Sequence, residues 1–298
     1  MFLAAALSAS GAPAPLSNPV SASTNAAVDR AYQKLQADDD AAQAEVDKWT
    51  RENNALKATG GGVAEAELDQ RIHQRLAPVT TEYKDFLRQH PNHAQAHLTY
   101  GCFLNDHGDE LGAQAEWEKA LALDPGNADI YNNLAGRYSE SGPVSKAFEY
   151  YAKAIELKSN QPLYYQNFAN SLYVLRKRGM AYYGLNEQQV FAKIIGLYSN
   201  SVRLDPKNFA SGCDFAQTYY SMKPFPATAA LNAWSNTLHS AEDQSQREFV
   251  YLHLARVQML DGRLAEARAL AEAVTSGERL VARSNLLHNI ELRQTQGP

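Results

Sequence analysis

From Val28 onward, apolar residues recur at alternating steps of four and three: Val28, Tyr32, Leu35, Ala42, Val46, Trp49 and Leu56, with Asp39 and Asn53 as two polar interruptions. A stripe of this period lies along one side of a helix, here of about 33 residues and ~50 Å at the usual rise. Gly60-Gly61-Gly62 ends it. A second helical pattern follows with Leu68, Ile72, Leu76, Val79, Tyr83 and Phe86, and Pro78 is expected to break or kink it. The short connection makes an antiparallel αα-hairpin the natural product. The first stripe has two readings: packing against the second helix and the array beyond it, or pairing with a second copy of the chain. Fewer than five heptads, with Asp39 and Asn53 on the seam, make a weak independent zipper and favour the first.

After Asn92 the pattern repeats. Ala94 to Leu104 (AQAHLTYGCFL) aligns with Ala128 to Tyr138 (ADIYNNLAGRY) at an offset of 34 residues. Ala113, Trp117, Ala120 and Pro125 then match Ala147, Tyr151, Ala154 and Ser159, and Gly108 matches Gly142. Large residues fall at positions 4, 11 and 24 of the unit, small ones at 8, 20 and 27, and proline near 32. Each unit reads as a helix pair whose small residues mark close crossings and whose large ones fill the gaps between neighbours.

This 34-residue pattern resembles the tetratricopeptide repeat (TPR). The resemblance implies an all-α fold: an α-solenoid of TPR helix pairs, preceded by the long helical hairpin. The array spans residues 94–277 as five units, 94–127, 128–161, 162–208, 209–247 and 248–277, with the hairpin at 25–93 and a capping helix and tail at 278–298. Residues 60–93 can be read as a degenerate unit, since Tyr83, Phe86 and Pro91 fall in phase. The third unit has 47 residues, 13 more than the period, and the excess falls in Arg176 to Asn186. Asn186 with Gln189, and Ser245 with Glu248, have the spacing of helix capping boxes.

The amino terminus carries a short apolar run, Phe2 to Ala9, followed by a stretch with Pro13, Pro15 and Pro19. Residues 1–24 read as a signal-like segment and linker, cleaved after Ala22, which places the protein outside the cytoplasm, secreted or periplasmic. The basic start of such a signal is missing, so a cytoplasmic tail is the alternative. The run is too short to span a bilayer, which takes ~20 apolar residues.

Composition narrows the chemistry. Twenty-eight basic and 33 acidic residues give a net charge of -5 without a long basic run, which argues against nucleic acid as a partner. Two cysteines, Cys102 and Cys213, rule out a disulfide framework. There is no Gly-x-Ser-x-Gly elbow or His-Glu-x-x-His helix, and Gly60 to Gly62 lack the lysine of a phosphate loop. His93 and His97 share a helix face, with His90, His107 and Cys102 nearby, but the pattern supplies no third ligand; neither a metal nor a cofactor is expected. Of 16 tyrosines, 12 lie between Tyr131 and Tyr220. Tyr131, Tyr138, Tyr151, Tyr165, Tyr198, Tyr219 and Tyr251 occupy core repeat positions, whereas Tyr173, Tyr182, Tyr183 and Tyr220 do not.

What the resemblance implies about function is a non-catalytic scaffold that binds an extended peptide or partner protein in the concave groove lined by the first helices. Carried over position by position, the groove holds Leu98, Thr99, Cys102 and Asn105, then Asn132, Asn133 and Glu140, then Gln166, Asn167, Asn170 and Tyr173. Cys213, Asp214, Gln217 and Tyr220 follow, with Leu252, His253 and Arg256 last. Asn133 and Asn167 share position 6, where an amide can both donate to and accept from a main chain; solvating or capping a helix is the other use of such residues. The first two units offer no lysine or arginine at groove positions, which disfavours recognition of a C-terminal carboxylate there. Arg176, Lys177 and Arg178, beside Tyr182 and Tyr183, are either a partner contact on the insertion or a solvated helix end. A homo-oligomer built through the Val28 to Leu56 seam, as a structural component of the cell envelope, is the alternative function.

Overall fold

The protein, described for residues 19–296 by a computed structural model, forms two compact units that divide between Tyr100 and Gly101. The signal-like segment lies, up to residue 18, outside the described residues. Among the described residues there is no strand, and no helix is long and apolar enough to cross a membrane.

The first unit contains α1 (Pro19–Lys57), α2 (Glu65–Gln89) and the start of α3 (Ala94–Asp106). At 39 residues α1 is longer than the apolar stripe predicts, because it begins before Val28. The stripe is covered within its own unit: Tyr32, Leu35, Ala42, Val46 and Asn53 are buried, and only Leu56 at its end is exposed. Both polar interruptions have structural work. Asp39 accepts a 2.6 Å hydrogen bond from the Tyr83 hydroxyl, and Asn53 accepts from the Val63 amide at 2.8 Å while its own amide reaches the Val63 carbonyl at 3.4 Å. The Asn53 clasp fixes the loop after Gly62, whose φ of +85° suits glycine. Pro78 does not break α2, which continues through it to Gln89. Leu76, Val79, Tyr83 and Phe86, on both sides of the proline, are all buried, so packing holds the two halves in line while Pro78 itself faces water.

The second unit stacks helix pairs: α3 with α4 (Glu110–Leu123), α5 (Ala128–Ser141) with α6 (Val144–Leu157), and α7 (Pro162–Val174) with α9 (Glu187–Leu204). Then come α10 (Phe209–Thr218) with α11 (Ala227–His239), α12 (Gln244–Leu260) with α13 (Leu264–Glu272), and a final α14 (Leu280–Gln296). Position 8 of the first helices is small throughout, as Gly101, Ala135, Ala169, Ala216 and Ala255, and the four alanines are fully buried. The reason is visible at Gly101, where an added Cβ would fall 2.5 Å from the Trp117 ring. Trp117, Tyr151, Tyr198 and Trp234 fill the complementary gaps from the second helices. Of the seven tyrosines at core positions, Tyr131 and Tyr251 are only half-buried; the other five are buried.

Two local expectations meet different outcomes. Asn186 and Gln189 form the reciprocal capping box of α9, each side chain bonding the other's backbone amide at 2.9 Å. Ser245 and Glu248 do not cap α12. Asp243 does so, accepting from the Gln246 amide at 2.8 Å. Glu248 instead points inward, where it accepts hydrogen bonds from the Thr275 amide and hydroxyl and the Ser276 amide, 2.9 to 3.0 Å away. Hydrogen bonding from Ser276 first, then from Thr275 and Gln244, holds its carboxyl well below the usual carboxylate range. The chain between α13 and α14 is thereby tied to α12, and Leu286 and Ile290 of α14 close over Ala255, Met259, Ala267 and Ala271.

Candidate functional site

The first helices α5, α7, α10 and α12 form one layer of the second unit, and their polar residues bond sideways from each helix to the next. Asn167 on α7 donates to Asn132 Oδ1 on α5 at 3.1 Å, Asn132 donates to Asn133 Oδ1 at 3.5 Å, and Asn133 donates to the Cys102 sulfur at 3.3 Å. An amide carries two N–H groups and an oxygen with two lone pairs. Asn133 and Asn167 therefore each keep one N–H beyond these bonds, and the Asn167 oxygen is uncommitted within the row. Both side chains are half-buried, whereas Asn132, expected in the groove, is buried as the link between them. Leu98 and Cys213, also expected to face the groove, are buried too; like Asn132 they stand at repeat position 5, whereas Asn133 and Asn167 at position 6 stay half-buried.

The row continues with other chemistry. Gln166 on α7 donates to Asp214 on α10 at 3.0 Å, and the hydroxyls of Tyr173 and Ser221 lie 2.5 Å apart. Asn170 accepts from the Tyr198 hydroxyl, which ties a groove position to the core. Gln217 and Arg256 are exposed on α10 and α12, and Asn105 is exposed at the end of α3. Thr99 belongs to the first unit, where its hydroxyl lies 3.1 Å from that of Tyr32.

At the carboxyl-terminal end of this face, Tyr220 and His253 are packed rather than presented. The Tyr220 hydroxyl sits 3.2 Å from His253 Nδ1, the His253 ring stacks on Trp234 at 4.1 Å, and the Arg256 guanidinium lies 4.5 Å above the Tyr220 ring. Burial, helped by the charges of Arg256 and Arg279, pushes the His253 imidazole down to about 4. Burial likewise pushes the Cys213 thiol up to about 12, and raises that of Cys102, so neither thiol is a poised nucleophile.

No family model and no curated protein matches the sequence. Solved structures do match. The C-terminal part of a TPR repeat-containing protein from Cytophaga hutchinsonii superposes with a TM-score of 0.54 at 12% identity, covering 86% of this chain and 98% of that one. PilW, a widely conserved type IV pilus biogenesis factor, gives 0.53 at 15% identity over 76% of this chain and 96% of its own. YrrB, a TPR protein with an unusual peptide-binding site, gives 0.52 at 12% identity over 72% and 98%. The fold is that of the tetratricopeptide repeat.

Within that TPR fold the insertion is not a loop. It forms α8 (Arg176–Tyr183), separated from α7 by Leu175 alone and ended by Gly184 at φ +64°. Gly179 lets α8 close on α7, since a Cβ there would meet Leu172 at 2.5 Å. Tyr183 is drawn into the core beside Phe148, with ring centroids 5.8 Å apart, whereas Tyr182 is exposed. Arg176, Lys177 and Arg178 line an open pocket of about 410 Å³ together with Ser139, Glu140, Val174 and Leu175. Sequence reasoning missed this pocket, because Ser139 and Glu140 come from the preceding repeat.

The histidines near the start of α3 have local duties. His93 Nδ1 accepts from the Ala96 amide at 3.0 Å, capping α3, and His97 Nε2 lies 3.0 Å from the Pro91 carbonyl. His90 packs against the Phe86 ring. Among the described residues no three His, Cys, Asp or Glu side chains converge as a metal site.

Proposed function

We propose that the protein is a non-catalytic scaffold that holds an extended peptide, or an extended segment of a partner protein, along the first-helix face of its TPR array. The observation that carries this reading is the Asn167–Asn132–Asn133–Cys102 row. Its hydrogen bonds set the orientation of the outer amides and leave each one a donor, with the Asn167 oxygen as an acceptor; alternating donors and acceptors are what a peptide main chain can pair with. Gln166, Asn170, Tyr173, Asp214, Gln217 and Arg256 flank this row, and Asn105 extends it, while Tyr220 and His253 close its far end. A main-chain grip of this kind tolerates many sequences. The peptide-binding site named for YrrB, a protein of the same fold, is in keeping with this use.

The test is a peptide array probed with the wild type and with the double variant Asn133→Ala, Asn167→Ala. Loss of two hydrogen bonds to main chain weakens binding about tenfold or more. Undiminished binding by the double variant would place the partner elsewhere. The reading of residues 1–24 as an export signal goes with this function: it is supported by the Phe2 to Ala9 run and is checked by the mass of the mature amino terminus. Self-assembly through the α1 seam loses its main support, since the residues that would pair with a second copy are buried within the first unit.

A further inference from the structure

We infer that the pocket between α5 and the α7–α8 corner is a carboxylate site, which selects acidic residues in the peptide bound on the adjoining face. This deepens the peptide-binding reading and rests on it. The three cations come from the insertion, outside the 34-residue period.

The charges in the pocket do not cancel. Arg176 is engaged on two sides, donating to the Tyr173 carbonyl at 3.4 Å and facing Glu187 at 3.5 Å. Glu140, the acidic member of the wall, is held by Arg137 at 3.1 Å, and Arg137 also pairs with Glu110 at 2.6 Å. Lys177 and Arg178 remain, exposed and without an ion pair among the described residues. Two uncommitted cations beside an open cavity of about 410 Å³ attract an anion that can approach from solvent.

The position of the pocket argues for a peptide as the source of that anion. Ser139 and Glu140 end α5, and Val174 follows Tyr173 at the end of α7, so the pocket adjoins the first-helix face at its rim. Tyr173 joins the two: its hydroxyl belongs to the lateral row and the Arg176 guanidinium lies 5.9 Å above its ring. Val174, exposed at 73%, offers apolar contact for the methylene groups of a glutamate. A peptide held by Asn167 and Asn170 along α7 would bring a side chain to this rim within one turn of helix.

The probe is tri-glutamate peptide, with tri-glutamine as the neutral control, titrated into the full chain and followed by NMR at the backbone amides of residues 174–179. Tri-glutamate is expected to shift these signals and tri-glutamine is not. The double variant Lys177→Gln, Arg178→Gln should weaken the tri-glutamate response about tenfold, and added salt should weaken it in the wild type. Equal shifts with both peptides, no shifts, or a response unchanged in the variant would overturn the carboxylate site. Tighter binding of inorganic phosphate than of tri-glutamate would also overturn it, assigning the pocket to phosphate groups. The peptide array separates this from the broader reading. An acidic preference that disappears in Lys177→Gln, Arg178→Gln while overall binding persists supports both, whereas a normal tri-glutamate response with an array insensitive to Asn133→Ala, Asn167→Ala removes the groove and keeps the pocket.

Discussion

The amide row on α5 and α7 and the aromatic cluster on α10 to α12 lie in successive repeats, with Asn133, Asn167 and His253 at the same repeat position, yet one is open and the other is closed. In the first, half-buried asparagines bond sideways and keep polar groups to spare. In the second, His253 stacks on Trp234 and meets Phe249 edge-on, Tyr220 stacks on Phe225, and the hydrogen-bonding capacity of Tyr220 is turned onto His253. The repeat position decides which way a side chain faces; the size of its neighbour decides whether anything else can reach it. Stacking rings that bury each other leave little for a ligand, whereas short amides cannot cover one another. The aromatic end is thus a strut, and the amide end is the part of this face with polar groups left to offer.

The difference is broken most severely at Trp234, which is fully buried and touches both Tyr220 and His253. Trp234→Ala should cost about 3 to 5 kcal/mol locally. Repeat arrays open in pieces, so hydrogen exchange is the suitable measurement. Exchange should accelerate across α10 to α12 and stay nearly unchanged in α5 and α6. Uniform acceleration along the array would mean that the two regions unfold as one.

His253 gives the next largest effect. Its pKa falls from an ordinary 6.5 to about 4 in the folded chain, so the neutral ring is the form the fold prefers. Stability from this group is fully present above pH 6.5 and is lost as pH falls from there towards 4. Between pH 7 and pH 5 the loss is about 2 kcal/mol, confined to the aromatic end. His253→Phe should flatten that dependence, read by thermal unfolding or by exchange in α12 across the same pH range. A slope that persists in the variant would trace to another group.

Much of this was legible in the chain. The 34-residue phase located the helix pairs, and Gly101, Ala135, Ala169, Ala216 and Ala255 announced the close crossings, because small residues at a fixed period have few other causes. What stayed hidden depends on contacts between residues far apart in sequence. Glu248 has the spacing of a cap but finds better donors 27 residues later at Thr275. Pro78 carries a helix-breaking signal that packing on both sides outweighs. The candidate groove was readable as a set of positions, but not which of them, such as Asn132 or Cys213, a neighbouring helix would cover. The basic pocket needed Glu140 and Arg178, from different repeats, to be brought together.

Asn132 gives the smallest and sharpest test of the open region. It is buried, contacts both groove amides and lies behind them. Asn132→Ala removes the acceptor of Asn167 and the donor to Asn133, but both partners are half-buried and water can replace what is lost, so stability should fall by only about 1 kcal/mol. If the row orients the outer amides for a ligand, peptide affinity should nevertheless fall several-fold, since Asn133 and Asn167 would have to be ordered on binding. A titration of an array-selected peptide into the variant measures this directly. Unchanged affinity would mean that the outer amides act separately, and that the sideways bonds serve only to join the helices.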